Sequence, residues 1–315
     1  MSYNSYIRST GSYLPNKCLT NDDLSKMMDT SDEWIFKRTG IKERHIADKS
    51  EMTSDLAFNA AKVALSRANI SAEEIDLIIC ATVTPDLTFP STATIVQQKL
   101  NANKAFAFDM SAACSGFVYA LATADNFIKN GQVKNALVIG AEVFSRILDW
   151  NDRSTSVLFG DGAGAVVLSR TENKEKGIIK TELGSDGSLV NILKTSGGTG
   201  LNQISGYVEM DGRAVFKFAT SKMLEITKRF MEGYNIDYVL PHQANIRIID
   251  YLMNNLQMTE EQFIVTIKHH ANTSAASIPL ALDTYISNGH NFENKNIFLT
   301  SIGAGITWGG ILISM

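Results

Sequence analysis

Along the chain, stretches whose apolar residues return every three or four positions alternate with short continuous apolar runs, which predicts helices interleaved with buried strands. Residues 53–70 (TSDLAFNAAKVALSRANI) carry the helical period, with Asn69 near the C-terminal end, and 75–84 (IDLIICATVT) then reads as a buried strand. Residues 91–100 are helical again, and 135–144 (NALVIGAEVF) form a strand that runs into a polar loop. In 155–170 (TSVLFGDGAGAVVLSR) glycines separate two apolar runs, as in a hairpin or bend. The plan then repeats: helical 217–235 leads into 236–245 (IDYVLPHQAN), and 296–315 (NIFLTSIGAGITWGGILISM) echoes the glycine-punctuated strands. The pattern predicts an α/β protein of two duplicated halves, 1–170 and 171–315, with the polar stretch TENKEKG at the boundary.

Composition narrows the class. A chain of 315 residues exceeds the usual single-core size, which suits two packed halves. With 44% hydrophobic and 20% charged residues it is an ordinary globular chain, neither disordered nor membrane-embedded, and no run of 18 apolar residues occurs. The N-terminal MSYNSYIRSTGSYLP has no apolar signal core, so a reducing cytoplasm is the expected location. A net charge of -4 argues against a general nucleic-acid binder. Three cysteines with no CxxC or Cys/His cluster leave neither a disulfide framework nor a metal site.

Three residues stand out by their settings: Cys114 in DMSAACSGF, His242 in PHQAN and Asn272 in HHANTSAAS. Cys114 follows an apolar run and precedes a helical pattern (117–128), a strand-to-helix junction where unpaired N–H groups and the helix dipole favour thiolate. A histidine can donate or act as base, and an asparagine amide donates to an oxyanion without carrying charge. The set suits capture of an acyl group followed by stabilisation of an enolate. Taken singly, each has a plainer reading, as a buried small hydrophobe or a satisfied polar group. Cys18, in a loop-like stretch, and Cys80, in an apolar run, read as structural. The clusters FGDGAGA (159–165) and SGGTG (196–200) lack the features of a phosphate loop and read as turns. His269 and His270 are adjacent and point apart on a regular element, while His45 and His290 are expected at the surface.

The stretches DTSDEWIFKRTGIKERHIA (29–47), SAACSGFVYAL (111–121), FGDGAGAVVL (159–168), VFKFA (215–219), PHQANIRI (241–248), ANTSAASIPLAL (271–282) and ITWGG (306–310) resemble the β-ketoacyl-acyl-carrier-protein synthase III family, over the whole chain. The family initiates bacterial type II fatty-acid synthesis. The resemblance implies a thiolase-like five-layer αβαβα sandwich with two five-stranded sheets, and a homodimer. It implies that Cys114 takes an acyl group from a short acyl-CoA and passes it to the carbanion formed by decarboxylation of malonyl-acyl-carrier protein. His242 and Asn272 then face the enolate oxygen, the N–H groups of Cys114 and Ala304 form the oxyanion hole, and no cofactor is required. By the same resemblance Trp34 and Arg153 sandwich the CoA adenine, Arg38 lies near the nucleotide phosphates, and Gly212, Phe216 and Asn245 line the pantetheine tunnel. Phe89 reaches across the dimer to the partner's acyl pocket. Lys217 and Arg247 form a basic docking patch for the acidic carrier protein, although an ordinary solvated helix face accounts for them equally well.

One departure bears on specificity. Where most members read Phe-Gly-Gly-Gly, this chain has Ile302-Gly303-Ala304-Gly305, so a smaller aliphatic wall stands near the nucleophile. Two alternatives remain at this stage: a homologue diverted to secondary metabolism, and a cysteine hydrolase with the order Cys, His, Asn. The latter lacks the N-terminal cysteine setting and disulfides usual for that class.

Overall fold

The computed structural model describes residues 3–315. Nine strands form the two main sheets: β1 (Asn4–Tyr13), β2 (Leu77–Ala81), β3 (Phe106–Met110), β4 (Asn135–Glu142), β5 (Gly162–Thr171), β6 (Gly177–Ser185), β7 (Tyr238–Pro241), β8 (Asn296–Gly303) and β9 (Thr307–Ser314). The first sheet has the order β1-β5-β4-β2-β3 and the second β6-β9-β8-β7. The sequence of pairings matches position by position: antiparallel, antiparallel, then parallel from the β1 and β6 edges inward.

The helices that matter for the site are α1 (Asp32–Thr39), α2 (Thr53–Ala68), α3 (Thr92–Leu100), α4 (Gly116–Lys129), α5 (Gly212–Met231), α6 (Ile246–Leu256) and α7 (Ser277–Ser287). Strand residues alternate between two buried faces, as expected for sheets covered on both sides. Leu77, Ile79 and Val138 pack with Leu240, Leu299 and Ile311 around α4 and α7, which fill the space between the sheets. The neighbouring positions Ile78, Cys80, Leu137 and Ile139 face α2 instead, which presents Leu56, Ala57, Ala60, Ala61 and Ala64 at helical spacing. On the far side, Val239, Phe298 and Leu312 pack against α5 and α6. The layers are therefore α, β, α, β, α.

Local chemistry sets the element ends. Helix α2 has the Asp55 carboxylate on Met52 N at 2.8 Å at its start and Asn69 in the left-handed region (φ 52°) at its end. Strand β2 is shorter than the apolar run predicts because Val83 N–H and the Thr82 and Thr84 hydroxyls turn to the Glu142 carboxylate instead of extending the ladder. Helix α5 starts five residues before the expected 217, where Asp211 accepts from Arg213 N at 3.1 Å and Ala214 N at 3.0 Å.

The second sheet differs from the expected five strands. Its fifth position is a single bridge, Val239 with Phe263, with one further bond from Ile264 N to Val239 O at 3.0 Å. The next donors go elsewhere, Val265 N to the Tyr285 hydroxyl at 3.1 Å and Thr266 N to Gln243 Oε1 at 2.8 Å, so no ladder can grow. Cys18 also departs from its loop reading: it lies exposed on a short strand, Lys17–Thr20, paired with Glu43–Ile46. His45, expected at the surface, is half-buried with Nδ1 2.6 Å from Pro15 O. No described helix is long and apolar enough to cross a membrane.

Candidate active site

The two halves meet through matched turns. In each, a short 3-10 turn opens on a residue with positive φ, Ala113 (47°) before α4 and Ser274 (51°) before α7. Each turn packs on the central strand of the opposite sheet, where glycine alone leaves room. A β-carbon on Gly303 would lie 2.7 Å from Ala112 O and 2.9 Å from Cys114 N; one on Gly140 would lie 2.3 Å from Ala275 O. Cys114 thus stands where α4 begins, at the seam between the sheets.

His242 follows β7 directly, Ala304 follows β8, and Asn272 precedes the second turn, so the candidate residues gather beyond strand C-termini. Cys114, His242, Asn272, Ile302 and Ala304 line one cavity of about 450 Å³. Trp34, Arg38, Arg153, Gly212, Phe216, Asn245 and Arg247 line the same cavity. The first three catalytic candidates are buried, while Arg38 and Arg247 are exposed, so the cavity joins the seam to the surface.

Cys114 does not rest as the thiolate that its helix-start position suggested. Burial pushes its thiol up to about 12, outweighing the Ser274 hydroxyl and its own N–H, which act in the opposite sense. Burial likewise holds His242 down at about 3, so the imidazole is neutral. Its Nδ1 lies 2.6 Å from the Ser277 hydroxyl, whose oxygen also accepts from Gln243 N at 3.4 Å. With the Ser277 hydroxyl donating to Nδ1, the imidazole proton sits on Nε2, which is then a donor. Asn272 is oriented in the same sense, since its Oδ1 accepts from Ser274 N at 2.8 Å and leaves the amide N–H groups free. Asn272 is itself held by its backbone, N to Leu158 O and O to Gly160 N, both at 3.0 Å. Ala304 opens a 3-10 turn, where the first N–H groups lack an internal partner and suit an oxyanion.

Near the mouth, the Trp34 ring carries two guanidinium groups, Arg38 at 4.3 Å and Arg153 at 5.1 Å from its centroid. Arg153 is held there by the Asp29 carbonyl and carboxylate. A flat base between Trp34 and Arg153 needs about 7 Å, two contacts of roughly 3.5 Å each, so Arg153 must move outward to admit one. Asn245 caps α6, accepting from Arg247 N at 3.0 Å, and Arg247 lies over the Phe216 ring at 5.4 Å. Lys217 is exposed and lies off the cavity wall, as does Phe89, 83% exposed.

Three polar residues of the site escaped the sequence reading: Ser274, Ser277 and Glu142. The serines stand in the quoted ANTSAAS run, but only the fold shows that both hydroxyls face the catalytic candidates. Glu142 closes an apolar strand, NALVIGAE, and a charged residue at the end of a fully buried strand was the available signal. Among the described residues, no group of three or more His, Cys, Asp or Glu side chains is placed to hold a metal.

Comparison with known proteins gives concordant matches. Residues 108–187 match the family model "3-Oxoacyl-[acyl-carrier-protein (ACP)] synthase III", and residues 227–315 match its C-terminal model. The chain is 57% identical over 314 residues to a β-ketoacyl-[acyl-carrier-protein] synthase III of Ehrlichia canis, covering 98% of each. A crystal structure of 3-oxoacyl-[acyl-carrier-protein] synthase III from Aquifex aeolicus superposes with a TM-score of 0.94 at 50% identity, covering 99% of this chain and 100% of that one. The priming β-ketosynthase of the R1128 polyketide pathway also superposes at 0.94, with 32% identity over 100% of this chain and 97% of its own.

Proposed function

Because the chain belongs to the 3-oxoacyl-[acyl-carrier-protein] synthase III family, and so carries out the condensation that initiates fatty-acid synthesis, we propose that Cys114 holds the acyl group between two half-reactions. The thiolate of Cys114 attacks the thioester of a short acyl-CoA and expels CoA. Malonyl-acyl-carrier protein then enters the emptied cavity and loses carbon dioxide. The resulting carbanion, delocalised onto its thioester oxygen, attacks the acyl carbon and releases Cys114. The N–H groups of Cys114 and Ala304 hold the oxyanion of each tetrahedral intermediate. Loss of carbon dioxide drives the step, and no cofactor enters the scheme.

The observation that carries this reading is the orientation of His242 and Asn272. Asn272 has its Oδ1 engaged by Ser274 N, which leaves its amide N–H groups to offer, and His242, neutral by burial with Ser277 at Nδ1, offers an N–H when that hydroxyl donates to the ring. Two neutral donors suit an enolate oxygen; a hydrolase needs a base at the histidine instead. Trp34 and Arg153 hold the adenine once Arg153 has released Asp29, with Arg38 at the phosphates and Gly212, Phe216 and Asn245 along the pantetheine arm. The chain works in a reducing cytoplasm as a homodimer, the exposed Phe89 reaching the partner's acyl pocket. Lys217 and Arg247 receive the acidic carrier protein.

Separating the half-reactions tests the scheme. His242→Ala and Asn272→Ala should still take up acyl groups on Cys114, read by intact and peptide mass, but lose malonyl decarboxylation by about 100-fold or more. Wild-type decarboxylation rates in both variants, or an acyl group mapped to Cys18 or Cys80, refute the assignment.

A further inference from the structure

The thiol of Cys114 must lose a proton to react, yet burial holds the His242 imidazole down as a base and its Nδ1 is engaged by Ser277. Another acceptor lies behind the nucleophile. Ser274 lines the same cavity as Cys114, its hydroxyl favours the thiolate there, and that hydroxyl donates to Glu142 Oε1 at 3.1 Å. Glu142 is fully buried at the end of β4. Its carboxylate is held by the Thr84 hydroxyl at 2.6 Å, the Thr82 hydroxyl at 3.2 Å and Val83 N at 3.1 Å. No described cation pairs with it. A buried carboxylate with only neutral donors is costly unless it serves a purpose.

We propose that Glu142 stores the Cys114 proton while the enzyme is acylated, with the Ser274 hydroxyl as the relay between them. This rests on Cys114 being the acylated nucleophile. On loading, the S–H proton passes to Ser274 Oγ as the Ser274 proton passes to Glu142. The new C–S bond forms, the bond to the CoA sulfur breaks, and the departing CoA thiolate takes a proton from water. On condensation, carbanion attack breaks the C–S bond to Cys114, and the thiolate recovers its proton from Glu142 through Ser274. Carbon dioxide leaves uncharged, so the malonyl negative charge ends on Glu142 and the resting state is restored.

The titratable group on the same side of the sheet as Glu142 is Cys114, on the turn before α4; Cys80, on β2, lies on the opposite face with α2. Burial keeps Cys80 a thiol. Burial also raises Glu142 to about 7, against the four donors, which places its proton exchange in the neutral range.

Alkylation of Cys114 by iodoacetamide, followed on its own peptide by mass spectrometry because exposed Cys18 also reacts, reads the thiol proton without acyl transfer. In the wild type the rate should rise with an inflection near pH 7. Glu142→Gln and Ser274→Ala should slow it about 100-fold at that pH, remove the inflection and converge on the wild type in alkali. A folded variant that keeps the inflection, or one slowed equally at every pH, overturns the relay; Ser274→Ala, a small change, decides the matter if Glu142→Gln does not fold. Acyl-CoA loading of the wild type is the separate check on the nucleophile: if alkylation behaves as stated but Cys114 is never acylated, the relay stands and the loading scheme falls.

Discussion

The Ser277 hydroxyl lies 2.6 Å from Nδ1 of His242, and as a donor to that nitrogen it holds the imidazole proton on Nε2. Removing the hydroxyl leaves Nδ1 free to take the proton and Nε2 free to lose it. Ser277→Ala should therefore lower malonyl decarboxylation by about 10- to 100-fold while Cys114 still loads acyl groups. Carbon dioxide release set against acyl-enzyme mass in the same preparation gives the answer; equal loss of both would make Ser277 a packing residue.

The two basic residues proposed for carrier docking differ in position, and so should their variants. Lys217 is exposed off the cavity wall, whereas Arg247 lines the cavity and covers Phe216. Lys217→Glu is expected to raise KM for malonyl-carrier protein several-fold and leave acyl-CoA loading nearly intact, most clearly at low ionic strength. Arg247→Glu should weaken both substrates. A Lys217 variant indistinguishable from wild type with both would remove this residue from the docking surface.

Ile302 lines the cavity with Cys114 and is 6% exposed, so its side chain borders the space open to the acyl group. A change of one methylene in such a wall is worth about 1–3 kcal/mol in discrimination. Ile302→Phe should narrow acceptance toward acetyl-CoA while keeping the smallest primer active. The kcat/KM ratio of acetyl- to isobutyryl-CoA in the two proteins tests it, and an unchanged ratio would move the search for specificity to the loop around Phe89.

Acid should destabilise the fold through its buried histidines. Burial lowers His270 to about 4 and His242 to about 3, against 6.5 when unfolded. Above pH 6.5 both states are neutral and stability is full; below it the unfolded chain gains protons that the folded one refuses, and stability falls as pH drops toward 4. For His270 alone the loss is on the order of 3 kcal/mol. The drop in Tm from pH 7 to pH 5 should be visibly smaller in His270→Gln than in the wild type; parallel curves would show that His270 does not carry it.

The alternation of helix and strand was legible from periodicity, because both sheets are covered on both faces and their strands read as apolar runs. The cysteine, histidine and asparagine were legible because each stands at an element boundary in a distinctive setting. What the sequence hid depends on contacts between distant segments. The second sheet stops at four strands because Tyr285 and Gln243 take the next donors. The thiol rests protonated because burial outweighs the helix start, and burial follows from the opposite half packing over it. Glu142 went unmarked within the strand read over 135–144, and only the turn of residues 82–84 reveals it as a buried, fully bonded carboxylate.

The matched turns at Ala113 and Ser274 divide the work of the site unequally. Their next residues, Cys114 and Ala275, occupy equivalent places before α4 and α7, yet only one carries a reactive atom. Two identical copies would have had to keep the same residue at both places. In this single chain they differ: the first place carries the nucleophile, and the second turn and its flanks supply Asn272, Ser274 and Ser277 around it. Of two equivalent positions, one carries the chemistry and the other is silent.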